Sequence, residues 1–289
     1  MKNSRIYLAI FLAVACMSTS SIIIRSTAAP AVVIAFYRVV FTAAIAFLLS
    51  GGGAVKNARR ISRNDWWYVI GAGFFLALHF AFWNTSLNHT TVSSSVLFTN
   101  LQVIFVLLFS LVFLREKLNR IALAGILAAL IGSIFIVSGD LHAGKFYGDM
   151  LALASGLFIA IYYIIGRNVR ARIDAISYTG FTAAIAVVVL VPVMILGGFS
   201  FTGYPLQVWM MFILLALAAG ICGHLVLNWA LKYVQAPIVS VSILGESVGA
   251  TILAWIIFSE YLAWYQFVGG FLILSGIYIA NTNREKGKQ

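Results

Sequence analysis

The sequence predicts an all-α integral membrane protein with ten transmembrane helices, arranged as two inverted five-helix repeats. Three observations support this prediction: the composition, a series of apolar windows of membrane-spanning length, and a similarity between the two halves of the chain. The 289 residues are 62% hydrophobic and only 9% charged. Because the surface of a water-soluble domain needs far more charge than this, the composition excludes a soluble fold.

The apolar windows predict where the helices lie. A helix needs about 20 apolar residues to cross about 30 Å of hydrocarbon. Windows near this length occur at 6–24, 31–49, 67–87, 92–114, 121–138, 150–166, 176–196, 207–231, 238–258 and 262–281. The first window is interpreted as an uncleaved helix rather than a signal peptide, because it approaches full span length and has an equivalent later in the chain.

The two halves of the chain repeat one another. The segment Phe-Thr-Ala-Ala-Ile-Ala occurs at 41–46 and again at 181–186. With a shift of 144 positions, Leu87, Gln102, Glu116, Leu118, Gly125, Leu130 and Gly132 correspond to Leu231, Glu246, Glu260, Leu262, Gly269, Leu274 and Gly276. The predicted domains are therefore a first repeat at 1–140 and a second at 141–289. Because each contains an odd number of helices, the second repeat is expected to enter the membrane in the opposite orientation.

The basic residues predict the topology. The net charge is +11, and with both termini in the cytoplasm sixteen Lys and Arg residues fall inside, whereas only Arg25 and Lys145 fall outside. Such a bias is the positive-inside signal of a multi-pass protein of the inner (plasma) membrane, so the partner of this charge is the lipid bilayer and not nucleic acid. The oligomeric state is left open between a monomer and a homodimer.

Catalytic and cofactor motifs are absent from the sequence. It contains no Gly-x-Ser-x-Gly, no His-Glu-x-x-His and no Walker loop, so neither an enzyme nor an ATP-driven pump is expected. The two cysteines, Cys16 and Cys222, lie in apolar windows without metal-ligand spacing and are expected to be packing residues. We therefore predict no cofactor and no bound metal.

Matching motifs in the two halves point to a known family. Helix 4 ends in Leu114-Arg-Glu116-Lys-Leu118 and helix 9 in Phe258-Ser-Glu260-Tyr-Leu262, and each is followed by two regularly spaced glycines, Gly125 and Gly132 or Gly269 and Gly276. Together with the segment 79–87, these motifs resemble the EamA family of the drug/metabolite transporter superfamily and are similar to its amino-acid exporters. The resemblance implies a ten-helix exporter. Glu116 and Glu260 are expected to have capping and interface roles at helix ends.

Glu246 is the first candidate functional residue, because a carboxylate in the middle of an apolar window is costly to retain. Its counterpart in the first repeat is Gln102, so the repeat itself does not require an acid there. Glu246 could bind a proton and couple transport to it, or it could be the counter-ion of an ammonium group. The alternative is a carboxylate paired with a neighbouring helix or reaching a water pocket.

Two histidines form a symmetric pattern. His79 and Trp83 are four residues apart on helix 3, and His224 and Asn228 are four apart on helix 8. Residues at this spacing share one helix face, so all four side chains could face a common central cavity. The alternative for each histidine is a hydrogen-bond partner between helices.

Four further residues are candidates for substrate binding. The Arg38 guanidinium, within helix 2, could hold a substrate carboxylate, pair with Glu246 or reach the outer headgroups. Asn100 on helix 4 needs a polar partner or a pore. Tyr163 and Trp229 could stack on a ring or surround an amine.

These candidates lead to one preferred function and two alternatives. The preferred function is secondary-active export of small metabolites, with amino acids and among them aromatic ones as the substrate class, by alternating access around a central cavity at the membrane midplane. Coupling to protons and facilitated diffusion both remain open. The alternatives are an organic-cation or multidrug efflux transporter and a non-transporting membrane bundle, whose centre would be dry and filled with leucine.

Overall fold

A computed structural model describes residues 3–116, 118–137, 146–258 and 263–282, and every regular element in these ranges is helical. Eight helical segments are long and apolar enough to cross a membrane: Ser4–Ser26, Ala31–Leu49, Arg63–Ser86, Ser94–Leu114, Phe146–Val169, Ala175–Leu196, Leu206–Ala230 and Ala236–Ile257. The predicted fifth and tenth windows also contain helices, Arg120–Val137 and Trp264–Thr282. The integral membrane class follows from the eight segments, whereas the ten-span topology stays a prediction.

The elements are numbered in chain order. They are α1 (Asn3–Met17), α2 (Ser20–Ser26), α3 (Ala31–Leu49), α4 (Gly53–Ala58), α5 (Arg63–Ser86), α6 (Val92–Asn100), α7 (Gln102–Phe109), α8 (Arg120–Val137), α9 (Phe146–Val169), α10 (Ala175–Leu196), α11 (Leu206–Leu215), α12 (Val226–Ala230), α13 (Ala236–Ile243), α14 (Gly245–Phe258) and α15 (Trp264–Thr282). Two π-helical segments, Ser110–Leu114 and Ala216–Leu225, follow α7 and α11. The short helix α4 lies in a connection for which no helix was predicted.

Two spans predicted as continuous helices are each interrupted once, at positions that differ by one residue in the repeat. Leu101 separates α6 from α7, and Leu244 separates α13 from α14. The backbone N–H of Ile104 donates to the Leu101 carbonyl (2.9 Å), and that of Ser247 donates to the Leu244 carbonyl (3.1 Å). Bonds of this i to i+3 type tighten a helix for one turn. Gln102 and Glu246 lie within the two tightened turns.

Glycines hold α8 and α15 in backbone contact. A Cβ added to Gly125 would lie 2.6 Å from the Gly276 carbonyl oxygen, and one added to Gly132 would lie 2.6 Å from that of Gly269. In the repeat, Gly125 corresponds to Gly269 and Gly132 to Gly276. Gly125 therefore lies against the equivalent of Gly132, and Gly132 lies against the equivalent of Gly125. Such reciprocal contacts are typical of two-fold symmetric interfaces.

We expect Gly269→Ala to destabilise the protein, because the new Cβ would meet the Gly132 carbonyl oxygen at 2.6 Å and Ile136 at 2.8 Å. Overpacking of this kind costs about 1–3 kcal/mol. Gly270→Ala is the matched control, since its Cβ would meet nothing closer than Val248 at 3.8 Å. Thermal unfolding of the purified protein in detergent should show a lower Tm for Gly269→Ala only, and equal Tm values would contradict the close contact.

The remaining helix contacts are also reciprocal between the predicted repeats. The helix α3 packs on α10, which is its equivalent, and α7 packs on α13 while α6 packs on α14. The helix α9 packs on α5, and its predicted equivalent α1 packs on the second π-helical segment and on α12. The boundary between the repeats, at 140 and 141, and the turn containing Glu260 lie outside the described residues.

Candidate functional site

A central cavity of about 30 Å³ lies between the two halves of the bundle. Its lining combines two opposite charges, two imidazoles, amides, hydroxyls and aromatic rings. The lining residues are Met17, Ser20, Arg38, His79, Trp83, Val96, Thr99, Asn100, Gln102, Ile159, Tyr163, His224, Ile243 and Glu246. Seven of the nine residues predicted as substrate-binding are in this set.

Arg38 extends from α3 into the cavity wall. Its side chain is only 1% exposed, so it does not reach the outer headgroups. The guanidinium carbon lies 4.1 Å from the centroid of the Phe80 ring and 5.8 Å from that of Trp83, which are cation–π distances. Nε and Nη1 have no hydrogen-bond partner among the described residues. Aromatic faces therefore hold this cation while its donors stay available for a ligand.

Glu246 lies in the first turn of α14, where the positive end of the helix dipole favours an anion. The residue is 7% exposed and lines the same cavity as Arg38. Within the described part of the chain it accepts no hydrogen bond, and the ion pairs found there join other residues. The proposed direct pair between Arg38 and Glu246 is thus not formed, and the cavity contains two separate opposite charges.

The two histidines meet across the cavity, as their symmetric spacing suggested. The His79 and His224 ring centroids are 6.5 Å apart. Nδ1 of His79 lies 2.8 Å from Ser155 Oγ, which fixes its ring parallel to that of Trp83 at a centroid distance of 6.1 Å. Nδ1 of His224 lies 3.5 Å from the Tyr163 hydroxyl. The rings of these residues form one continuous aromatic wall.

Two amides line the cavity next to Glu246. Asn100 donates from Nδ2 to Ser247 Oγ (2.8 Å), and this bond joins α6 to α14. Gln102 is 3% exposed, and its Oε1 has no partner among the described residues. From the sequence, Gln102 is predicted only as the counterpart of Glu246 in the first repeat. The repeat correspondence was the signal that could have assigned it to the site.

The structure does not bring Asn228 and Trp229 to the cavity. Asn228 is fully buried and donates from Nδ2 to the Tyr162 hydroxyl (2.6 Å) and to Thr179 Oγ1 (2.9 Å). Trp229 is half-buried and packs on the Tyr233 ring at 5.1 Å. Asn228 belongs to α12, directly after the π-helical segment that ends at Leu225, and its hydrogen bonds direct it towards α9 and α10. The spacing of four residues between His224 and Asn228 thus does not place both in the cavity lining.

One end of the bundle is closed by ion pairs. Arg167 Nε lies 2.7 Å from Glu116 Oε1, and Nη1 donates to the Leu231 carbonyl at 2.6 Å. Glu116 Oε2 also accepts from the backbone N–H of Ala236 (3.3 Å). Arg172 forms a second ion pair with Asp65 (2.7 Å). We call the end that carries these two pairs the arginine end. The interface role predicted for Glu116 thus has a geometric basis, whereas Glu260 lies outside the described residues.

The cavity extends towards the opposite end of the bundle. Its lining includes Trp83, in the last turn of α5, and Val96, near the start of α6. Towards the arginine end, Tyr162, Tyr178 and Leu231 are buried completely. Bulky side chains and ion pairs therefore separate the cavity from the arginine end.

A buried polar cavity between membrane-spanning helices is the arrangement of a membrane transporter, in which ionisable groups are retained despite their cost. Among the described residues there is no cluster of His, Cys, Asp and Glu that could hold a metal ion. Sequence comparison identifies the particular family. The model of the EamA-like transporter family matches residues 4–138 and 146–282. The chain therefore belongs to the EamA family, within the drug/metabolite transporter superfamily.

Individual relatives share most of the length of the chain. An uncharacterized transporter of Archaeoglobus fulgidus is 24% identical over 260 residues, which cover 88% of each chain. The pseudopaline exporter CntI of Pseudomonas aeruginosa is 24% identical over 263 residues, which cover 91% of this chain and 89% of CntI. A crystal structure superposes with a TM-score of 0.78 over 96% of this chain and 98% of the other at 19% identity, and it shares the fold.

Proposed function

We propose that this protein is a secondary-active exporter of amino acids, including aromatic ones, and that it transports them through the central cavity by alternating access. The observation that carries the proposal is the pair of separated charges in one buried cavity. Arg38 offers donors without a protein partner, and Glu246 offers an acceptor without one, among the described residues. An amino acid brings one group of each opposite sign, so it complements both.

Each part of an amino acid is complemented by residues of the cavity lining. The planar guanidinium of Arg38 suits a carboxylate, which it can bind through two parallel hydrogen bonds. Glu246 suits the ammonium group. The aromatic wall formed by His79, Trp83, Tyr163 and His224 suits the side chain, since aromatic rings attract one another beyond the area they bury. Asn100 and Gln102 offer further polar contacts beside Glu246.

Alternating access requires two related conformations of the same bundle. The reciprocal glycine contacts of α8 and α15 and the reciprocal packing of the other helices support two inverted repeats. In such proteins, rocking of one repeat against the other opens the site to either side. We assign the arginine end and both termini to the cytoplasm on the positive-inside rule. The present conformation, closed at the arginine end, is then the outward-facing one.

Flux measurements on reconstituted protein test this function. Proteoliposomes loaded with unlabelled phenylalanine should accumulate labelled phenylalanine by exchange, and phenylalanine should raise the Tm of the purified protein, because a ligand of the folded state stabilises it. Inhibition by tetraphenylphosphonium but not by phenylalanine would favour an organic-cation transporter. Neither binding nor flux of either compound would contradict the proposal. The polar lining of the cavity disfavours a non-transporting bundle with a dry, leucine-filled centre.

We expect Trp83→Ala to weaken phenylalanine binding more than alanine binding, because it removes one face of the aromatic wall. A lost aromatic contact of this kind corresponds to about 0.5–1.5 kcal/mol, or about a threefold to tenfold rise in Kd. Trp83→Phe, which retains a ring, is the matched control. Equal effects of Trp83→Ala on both amino acids, measured by calorimetry, would show that the ring does not contact the substrate side chain.

A further inference from the structure

The three arginines at the C-terminal end of α9 differ in their surroundings. Arg167 is paired with Glu116, and Arg172 is paired with Asp65. Arg170 forms no ion pair with any described residue, although it is 2% exposed. Arg167 and Arg172 are explained by the ion pairs that close the arginine end. The same closure does not explain Arg170.

The Arg170 guanidinium has unused hydrogen-bond donors. Nε donates to the Asn228 carbonyl (2.9 Å), and buried Nη1 has no partner in the described part of the chain. Asp174, the acid nearest along the chain, is already engaged elsewhere. One of its oxygens accepts from the Ser177 backbone N–H (2.9 Å) and the other from Asn57 Nδ2 (2.7 Å). Arg170 is thus a buried cation with spare capacity for an anion.

This arrangement is costly for stability. Burying a charge without a partner is unfavourable, and its removal or its pairing normally relieves the cost. The hydrogen bonds that Arg172 donates to Asp65 raise the pKa of Arg172, whereas burial lowers the pKa of Arg170 by more than the charge of Asp174 raises it. The environment therefore favours the charged form of Arg172 and disfavours that of Arg170. A residue kept under such conditions needs an explanation beyond packing.

The fold itself does not require an arginine at this position. If Arg25 at the end of helix 1 is aligned with Arg167 at the end of helix 6, a shift of 142 positions, Ala28 falls opposite Arg170. The equivalent position in the first repeat thus carries a small, uncharged side chain. Arg170 is a feature of one end of the protein only.

A chain of polar groups connects Arg170 to the cavity. Arg170 binds the carbonyl of Asn228, and the Asn228 side chain binds the Tyr162 hydroxyl (2.6 Å). The next residue, Tyr163, lines the cavity and contacts His224. Arg170 therefore lies between the cavity and the arginine end, in the region that must separate when that end opens.

We propose that Arg170 is a second anion-binding residue of the transport path, which receives the carboxylate of the substrate when the arginine end opens and before the substrate reaches Arg38. This inference rests on the proposed transport function and adds a binding step specific to one face of the membrane. The guanidinium gains in that step the anionic partner that it lacks in the closed conformation.

Transport from the two faces should distinguish this role from a structural one. With labelled phenylalanine, Arg170→Gln should raise the half-saturation concentration for uptake from the arginine-end face about tenfold, as expected for the loss of a charge-assisted hydrogen bond. Uptake from the opposite face should half-saturate within about twofold of the unmodified protein, and Arg170→Lys should restore part of the difference. Equal changes at both faces, with a lower Tm, would assign Arg170 to stability alone.

Cysteine labelling tests the position of Arg170 on the path without any substrate. In a background with Cys16→Ala and Cys222→Ala, Arg170→Cys should react with the membrane-impermeant anionic reagent 2-sulfonatoethyl methanethiosulfonate. The rate should rise several-fold when Glu116→Gln weakens the closing ion pair. Ile126→Cys, on α8, is the control because Ile126 is equally buried but remote from the path. If position 170 stays as unreactive as position 126, the proposal fails, even if phenylalanine is transported. If position 170 reacts but phenylalanine is not transported, only the proposed substrate is wrong.

Discussion

Arg38→Gln should abolish measurable amino-acid binding, with a rise in Kd of about 100-fold or more. The substitution would remove the charge-assisted, bidentate contact that we propose for the substrate carboxylate, and each hydrogen bond to a charged group contributes about 1.5–3 kcal/mol. Arg38 is 1% exposed and held over the Phe80 ring, so its donors are oriented before the substrate arrives. Isothermal titration with phenylalanine measures the effect. Arg63→Gln, at an exposed arginine where α5 begins, is the charge-matched control.

A modified substrate separates carboxylate binding from a general loss of the site. Phenylalaninamide lacks the negative charge, so the unmodified protein should bind it much more weakly than phenylalanine. The Arg38→Gln protein should bind both compounds with similar Kd values. If it still prefers phenylalanine by a large factor, the carboxylate is bound elsewhere. Arg38→Lys should recover only part of the affinity, because an ammonium group cannot form the two parallel hydrogen bonds.

Glu246→Gln should uncouple transport from the pH gradient while the fold is retained. Gln102 occupies the equivalent position in the first repeat, beside the same type of tightened turn, so the bundle accommodates an amide there. With one proton exchanged per substrate, a gradient of one pH unit supports about a tenfold concentration ratio, because one unit corresponds to about 1.4 kcal/mol. The variant should reach a ratio near one.

Accumulation and exchange in proteoliposomes measure this effect separately. Exchange of labelled for unlabelled phenylalanine needs no net proton movement, so Glu246→Gln should retain it at a reduced rate. Gln102→Asn, which changes the other polar group beside the turn without removing a charge, is the control and should keep its response to pH. Full pH-dependent accumulation by Glu246→Gln would exclude Glu246 as the coupling residue and leave it the role of counter-ion.

The charged residues that line the cavity could be identified from the sequence, because a charge within an apolar window stands out against its surroundings. Arg38 and Glu246 were found in this way, and the repeated spacing identified His79 and His224. Eight apolar windows correspond to helices of membrane-spanning length in the structure. A charge within an apolar window is energetically costly, so its presence there was informative about function.

The helix interruptions and the positions of Asn228 and Gln102 depended on local geometry that the residue pattern does not encode. The helices are interrupted at Leu101 and Leu244, which are ordinary apolar residues. No glycine or proline beside Leu101 indicated the first interruption. Asn228, four residues after His224, is engaged in hydrogen bonds with Tyr162 and Thr179, which the spacing does not encode. Gln102 was overlooked as a lining residue because an uncharged amide in a membrane helix is a weaker signal than a carboxylate.

The glycine contacts between α8 and α15 also restrict how the sequences of the two predicted repeats can diverge. Gly125 touches Gly276 and Gly132 touches Gly269, so each copy supplies the surface against which the other must fit. A larger residue at one of these glycine positions would clash with the backbone of the opposite helix. Substitution is therefore restricted in both predicted repeats. The cavity imposes no such mutual restraint, and there an ancestral match could separate into Gln102 and Glu246. Two-fold symmetry would thus persist where α8 and α15 meet, while the residues that line the cavity differ between the predicted repeats.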